Sequence, residues 1–127
     1  MRVILVAINQ EWAGLVSEFL EESGYQVLMT SLLDEAVAIV RSRHLDGIVM
    51  TYDWAVRKET GQSQSLMEMA KDKIPTLTLI GSVFNEPIDA VYHRPMHEFA
   101  TLPVSTEEIT SRLLYAIEGR RSADDSI

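Results

Sequence analysis

Leu45-Asp46-Gly47-Ile48-Val49-Met50-Thr51-Tyr52-Asp53-Trp54 is the stretch on which the fold turns. From Gly47 to Thr51 it is apolar without alternation, the pattern of a strand covered on both faces of a parallel sheet. It then breaks abruptly into polar and aromatic residues. In open parallel sheets ligands collect at the carboxyl ends of the strands. Thr51, Tyr52, Asp53 and Trp54 are therefore the first place to look for a site.

Working outward, Arg2 to Ile8 is a second continuous apolar run and predicts the first strand. Asn9 is read as the N-cap of a helix whose stripe is Trp12, Leu15, Val16, Phe19 and Leu20, stopped at Ser23-Gly24. Tyr25 to Thr30 predicts a short strand. Ser31 opens a helix with Leu33, Ala36, Val37 and Val40 on one face, and Arg41, Arg43 and His44 near its negative carboxyl end. After the central strand, Asp53 to Gln64 reads as a polar loop leading to a helix from Ser65 to Lys71. Thr76 to Ile80 is the fourth strand, followed by a weakly patterned helix over Glu86–Tyr92 that ends before Pro95. Met96 to Leu102 is the fifth strand. Ser105 with Glu108 forms a capping box ahead of Ile109, Leu113, Leu114 and Ile117. Residues 1–120 read as one domain and 121–127 as a flexible tail.

Alternating strands and helices demand right-handed crossovers and a parallel sheet covered on both sides. The expected architecture is a three-layer αβα sandwich around a five-stranded parallel sheet of order 2-1-3-4-5, the flavodoxin-like arrangement. Length and composition agree with one soluble domain: 127 residues, 46% hydrophobic and 24% charged. The net charge of -8 and the scattered Lys and Arg argue against nucleic acid and anionic membrane as partners. Without cysteine there is neither disulfide nor thiolate metal site. The opening residues lack a signal peptide's pattern and no apolar run is long enough to span a bilayer, so a cytoplasmic location is expected.

These features resemble the receiver domains of two-component response regulators. The resemblance rests on the apolar first strand, Glu21-Glu22-Ser23-Gly24-Tyr25-Gln26-Val27, Asp34-Glu35-Ala36-Val37, Asp46-Gly47-Ile48-Val49-Met50, and Pro103 before a capped last helix. A working receiver carries an acidic pair after strand one to hold magnesium, a phosphoacceptor aspartate ending strand three, a hydroxyl ending strand four and a lysine before the proline. A divalent cation needs carboxylate oxygens, and a phosphoryl group needs positive charge around it. At the matching positions this chain has Ala7, Ile8 and Asn9 for the acidic pair, Thr51 for the acceptor, Ile80 for the hydroxyl and Leu102 for the lysine. The resemblance thus implies a receiver-like module with a degenerate phosphorylation site. Asp53 as a displaced acceptor, with Glu11 as a lone metal ligand, is the weaker reading: Asp53 lies about 6–7 Å further along an extended chain, and the lysine is still missing.

The chain is also similar to the amino-terminal wing domains of bacterial ornithine, lysine and arginine decarboxylases. Thr51-Tyr52, Ile74-Pro75 with Leu79-Ile80-Gly81, and His97-Glu98-Phe99-Ala100 carry that likeness. It implies a domain for oligomer assembly and regulation, with the pyridoxal-phosphate chemistry elsewhere.

Other site patterns are thin. His93 and His97 stand four apart, but Pro95 interrupts any helix, and two surface imidazoles are expected rather than a zinc site. No Gly-x-Ser-x-Gly elbow occurs, and Asn9-Gln10-Glu11 replaces a glycine-rich phosphate loop, so no cofactor is expected. Trp12 is expected half-buried. Trp54 is either an exposed interface anchor or folded over its own core. Tyr52, Asp53, Trp54, Tyr92 and Phe99 are the interaction candidates, with Phe99 read mainly as packing. Tyr92, Met96, Phe99, Ile109 and Tyr115 form the expected contact face, for a protein partner or for self-association into a dimer or larger oligomer. Catalysis is expected from none of them.

Overall fold

The computed structural model describes residues 1–58, 61–70, 73–81 and 96–125. Five parallel strands, β1 (Val3–Ala7), β2 (Gln26–Thr30), β3 (Gly47–Thr51), β4 (Thr76–Ile80) and β5 (His97–Thr101), lie in the order β2-β1-β3-β4-β5. This is the expected order. The described helices are α1 (Ala13–Glu22), α2 (Leu33–Ser42), α3 (Tyr52–Ala55), α4 (Leu66–Ala70) and α5 (Thr106–Asp125). The helix expected over Glu86–Tyr92 falls outside the described residues, as do Tyr92 and His93.

Side chains alternate across each strand, and this divides the core in two. Leu5, Ala7, Ile48 and Met50 point to the layer formed by α2, α3 and α4. Ile4, Val6, Ile8, Val49, Leu77 and Leu79 point to the layer formed by α1 and α5. Ile48, Val49 and Met50 are all fully buried, which accounts for the unbroken apolar run in the sequence. Asp46 ties the start of β3 to β1. Its backbone N–H donates to the Val3 carbonyl at 2.8 Å, and its carboxylate accepts the Val3 N–H at 2.7 Å.

Helix boundaries follow local chemistry, with corrections. Gly24 takes φ +97°, and the Gly24 and Tyr25 N–H groups donate back to the carbonyls of Glu21 and Leu20. That is the left-handed stop expected at Gly24. Asn9 does not cap α1: a turn over residues 10–12 intervenes, closed by the Ala13 N–H donating to the Gln10 carbonyl, and Trp12 occupies the cap position. Nor does Ser31 cap α2; Thr30 Oγ1 accepts the Leu32 N–H at 3.1 Å instead. The Ser105 box is half formed. Ser105 Oγ accepts the Glu108 N–H at 3.1 Å, while the Glu108 carboxylate turns away to Arg112 at 3.0 Å. A reciprocal box occurs where none was expected, at α4. Ser65 and Glu68 exchange hydrogen bonds there, and Lys58 lies 3.5 Å from the Glu68 carboxylate. Lost hydration raises the Glu68 pKa, but the Ser65 bonds and the Lys58 charge outweigh it and the pKa lies below its ordinary value. The carboxylate therefore supports the fold above its unfolded-state pKa, and that support fades as pH falls through the lowered one. Helix α5 runs to Asp125, five residues beyond the expected domain end at 120.

The larger correction is the polar loop after β3. Its first turn is helical, and α3 carries Trp54 and Ala55 inward to pack with Ile48, Met50 and the α4 side chains. Trp54 is 4% exposed, so it is a core residue and not an interface anchor. Burying so large an aromatic surface outweighs the polar character of its neighbours.

Gly47 gives a direct test of this packing. A Cβ there would stand 3.0 Å from Ile4 Cδ1 and 3.1 Å from Leu113 Cδ1, both fully buried. Strand propensity favours valine over glycine, but overpacking opposes it. Gly47→Val is expected to destabilise the domain by about 1–3 kcal/mol in urea unfolding; a stabilised variant would show that the two helical layers are not closed over β3.

Candidate functional site

The carboxyl edge of the sheet brings together part of what the sequence singled out. Strands β1 and β3 are neighbours, with Ala7 opposite Met50, and β4 follows with Leu79 opposite Thr51. A cavity of about 360 Å³ opens at this edge, lined by Gln10, Thr51, Tyr52, Asp53, Leu79 and Leu102, with Trp12 and Gly81 at its rim. Ala7, Ile8, Asn9 and Ile80 are not among its lining residues. Ala7, Ile8 and Ile80 are buried in the packed interior, and Asn9 is exposed. The alternation of β4 sends Leu79 and Gly81 toward the cavity and Ile80 away from it. Gln10 was not anticipated. Its position follows from the turn that delays the start of α1, a feature the residue types alone do not signal.

The chemistry of this cavity is spare. Among its described lining residues Asp53, exposed and on the first turn after β3, is the one ionisable carboxylate, and none is a lysine or arginine. Tyr52 is half-buried. Thr51 is 5% exposed, and its buried Oγ1 has no hydrogen-bond partner among the described residues. Leu102, which precedes Pro103, supplies an apolar wall. Among the described residues no cluster of three His, Asp or Glu could hold a metal ion.

A second cavity of about 540 Å³ adjoins the first, sharing Trp12, Gly81 and Leu102. It lies between α1 and the start of α5, against Leu15, Val16, Val104 and Ile109. Trp12 is half-buried, as expected. Leu15, read as part of the core stripe, is 66% exposed and forms the cavity's outer lip.

The other expected sites are redrawn. His97 is buried at the start of β5, opposite Thr76, and is not a surface imidazole. In the expected contact face, Met96 and Ile109 are buried, the latter on the inner face of α5, and Phe99 is half-buried against the α2–α4 layer. Among the described members of that group Tyr115 alone is widely exposed, at 66%, beside the partly exposed Leu114. No helix among the described residues is long and apolar enough to cross a membrane.

No family model matches the sequence, and no curated protein does. Solved structures do match. A response regulator receiver domain from Clostridium thermocellum is 16% identical with a TM-score of 0.67, the alignment covering 97% of this chain and 99% of that one. The receiver domain of Francisella response regulator 1452 is 19% identical with a TM-score of 0.71, covering 93% and 98%. The N-terminal domain of a response regulator/sensory box/GGDEF three-domain protein from Carboxydothermus hydrogenoformans is 12% identical with a TM-score of 0.72, covering 96% and 98%. The fold is that of the response-regulator receiver domains, over nearly the whole chain. At these identities the likeness speaks for the fold alone.

The unpartnered hydroxyl of Thr51 yields a prediction. A buried polar group without a partner costs roughly 1–3 kcal/mol, and valine has threonine's shape. Thr51→Val is expected to raise stability by about 1 kcal/mol in urea unfolding. An equal loss of stability would mean that the hydroxyl holds a hydrogen bond that matters to the fold.

Proposed function

We propose that this chain is a receiver-like signalling module that takes no phosphoryl group and acts through contact with protein. The observation that carries the reading is the wall of the carboxyl-edge cavity. It sets a hydroxyl, Thr51, at the end of β3 and a leucine, Leu102, before Pro103, and among the described lining residues it has one carboxylate and no cation. Magnesium binding needs several hard oxygen ligands. Phosphoryl transfer is catalysed almost wholly by positioning and by positive charge around the transferring group. An exposed Asp53 beside leucines supplies neither. The module itself is then not an enzyme, needs no cofactor, and the degenerate positions are Ala7, Ile8, Asn9, Thr51, Ile80 and Leu102.

Contact is left as the means of action. Tyr115 and Leu114 present apolar surface on α5, and aromatic side chains with exposed faces are the common anchors of protein interfaces. Tyr52 and Asp53, at the rim of the carboxyl-edge cavity, form a second accessible spot. One structure sharing the fold is the first domain of a three-domain protein. The occupant of the α5 face is then a protein partner or a second copy of the chain.

Incubation with magnesium and acetyl phosphate, followed by intact mass measurement, tests the chemical half of this reading. No covalent adduct is expected. A stoichiometric, base-labile phosphoryl adduct mapping to Asp53 would overturn it.

A further inference from the structure

We propose that the outer edge of β2 docks an extended, lysine- or arginine-bearing segment of a partner protein, which joins the sheet as a further strand. This goes beyond the contact reading above. It uses neither the α5 face nor the carboxyl-edge cavity, so the two stand or fall separately. β2 ends the sheet, and among the described residues β1 is its one neighbour. The Gln26 N–H donates to the Arg2 carbonyl at 2.9 Å, and peptide groups alternate in direction along a strand. Gln26, Leu28 and Thr30 therefore face β1, while Val27 and Met29 turn their N–H and C=O groups outward. Natural sheet edges are commonly blunted by charged side chains or proline. Gln26-Val27-Leu28-Met29-Thr30 has neither, and Met29 is 54% exposed. The strand and the helix beside it lie in residues 1–58, which are described without a break.

Charge selects the occupant. Met29 is opposite Val6, which points into the α1 layer, so Met29 projects on the α1 face of the sheet. There it borders a groove of about 460 Å³ with Gly14, Glu18, Glu21 and Glu22. The three carboxylates fall within about one turn of α1, and among the described residues no ion pair engages them. Gly14 keeps the wall low, with no atom within 4 Å of where a Cβ would stand. An added strand shows every second side chain to this face. Cationic residues at those positions meet the glutamates, and apolar ones between them lie on the other face beside half-buried Leu28. A second copy fits poorly. Antiparallel pairing of two β2 edges about a two-fold axis normal to the sheet keeps both α1 helices on one face. It brings two sets of these carboxylates together, between chains that each carry -8. Main-chain hydrogen bonds supply the affinity of an added strand, and the flanking side chains choose it.

A matched pair of peptides tests the proposal. The ¹⁵N-labelled chain is titrated with a capped hexapeptide of alternating lysine and valine and, separately, with its glutamate–valine counterpart. In the free chain the Val27 and Met29 amides are expected to exchange with deuterium unprotected, while Gln26 and Leu28 are protected by β1. Saturating lysine peptide should slow Val27 and Met29 at least about tenfold, and the glutamate peptide should leave them unchanged. Met29→Lys, which sets a like charge on the edge, should weaken the lysine peptide at least about tenfold. The triple variant Glu18→Gln, Glu21→Gln, Glu22→Gln should weaken it about five- to twentyfold. Removing as much charge from α5, by Glu107→Gln, Glu108→Gln and Glu118→Gln, should change it by less than about twofold. Thermal melts establish that each variant is folded. Binding that fails to saturate, Val27 and Met29 amides left unprotected, or a glutamate peptide that binds as tightly would each overturn the proposal. So would an unchanged affinity in Met29→Lys or equal losses in the two triple variants. Concentration-dependent protection of Val27 and Met29 without peptide would assign the edge to a second copy and overturn it too.

Discussion

The burial of β3 on both faces is the constraint from which the rest of the structure follows. Ile48 and Met50 look into one helical layer and Val49 into the other, and each is fully buried. A strand in that position has no polar face, so its neighbours must pair on both sides and its ends alone can meet solvent. Gly47 marks how closely the layers approach, since its missing side chain makes room for the tips of Ile4 and Leu113. Asp46 then fixes where the strand begins, by binding Val3 through both its backbone and its carboxylate. Once β1 and β3 are locked side by side, their carboxyl ends meet at the point where the chain's connections diverge to opposite faces of the sheet. That is where a parallel α/β fold leaves an opening.

On the proposed reading the opening keeps the receiver shape and changes its chemistry. Its position is set by backbone pairing, which tolerates almost any side chain that can be buried. The charge inside it is set by side chains that the fold does not require. On the proposed reading, Thr51 and Leu102 line this edge without the carboxylate and the cation that phosphoryl chemistry uses. Fold and function therefore separate cleanly at this edge, as they do across the large α/β superfolds generally.

Much of the architecture could be read from residue order. Runs such as Val3–Ala7 and Gly47–Thr51 have one physical explanation in a chain of this size, and alternation with helical stripes leaves few topologies open. Gly24 was legible because few other residues accept a left-handed backbone. Trp54 was not, because its neighbours in sequence are polar and its burial depends on a single helical turn that brings it back over Met50 and the α4 side chains. The expected contact face failed for a related reason. Ile109 and Met96 are placed by tertiary packing that spacing alone does not resolve, and both turn inward. At the site, Thr51 and Leu102 were identified from position in the chain. Gln10 and the Leu15 lip depend on the extra turn before α1, which the plausible cap at Asn9 concealed.

The central claim is that the carboxyl edge of this receiver fold no longer answers to phosphate. Nuclear magnetic resonance of the ¹⁵N-labelled chain in magnesium and beryllofluoride, which mimics the bound phosphoryl group, tests it most directly. The account predicts unshifted amides at Thr51, Tyr52, Asp53 and Leu102 at saturating concentrations of both. Saturable, magnesium-dependent shifts of those amides, spreading into β5 and α5, would contradict it.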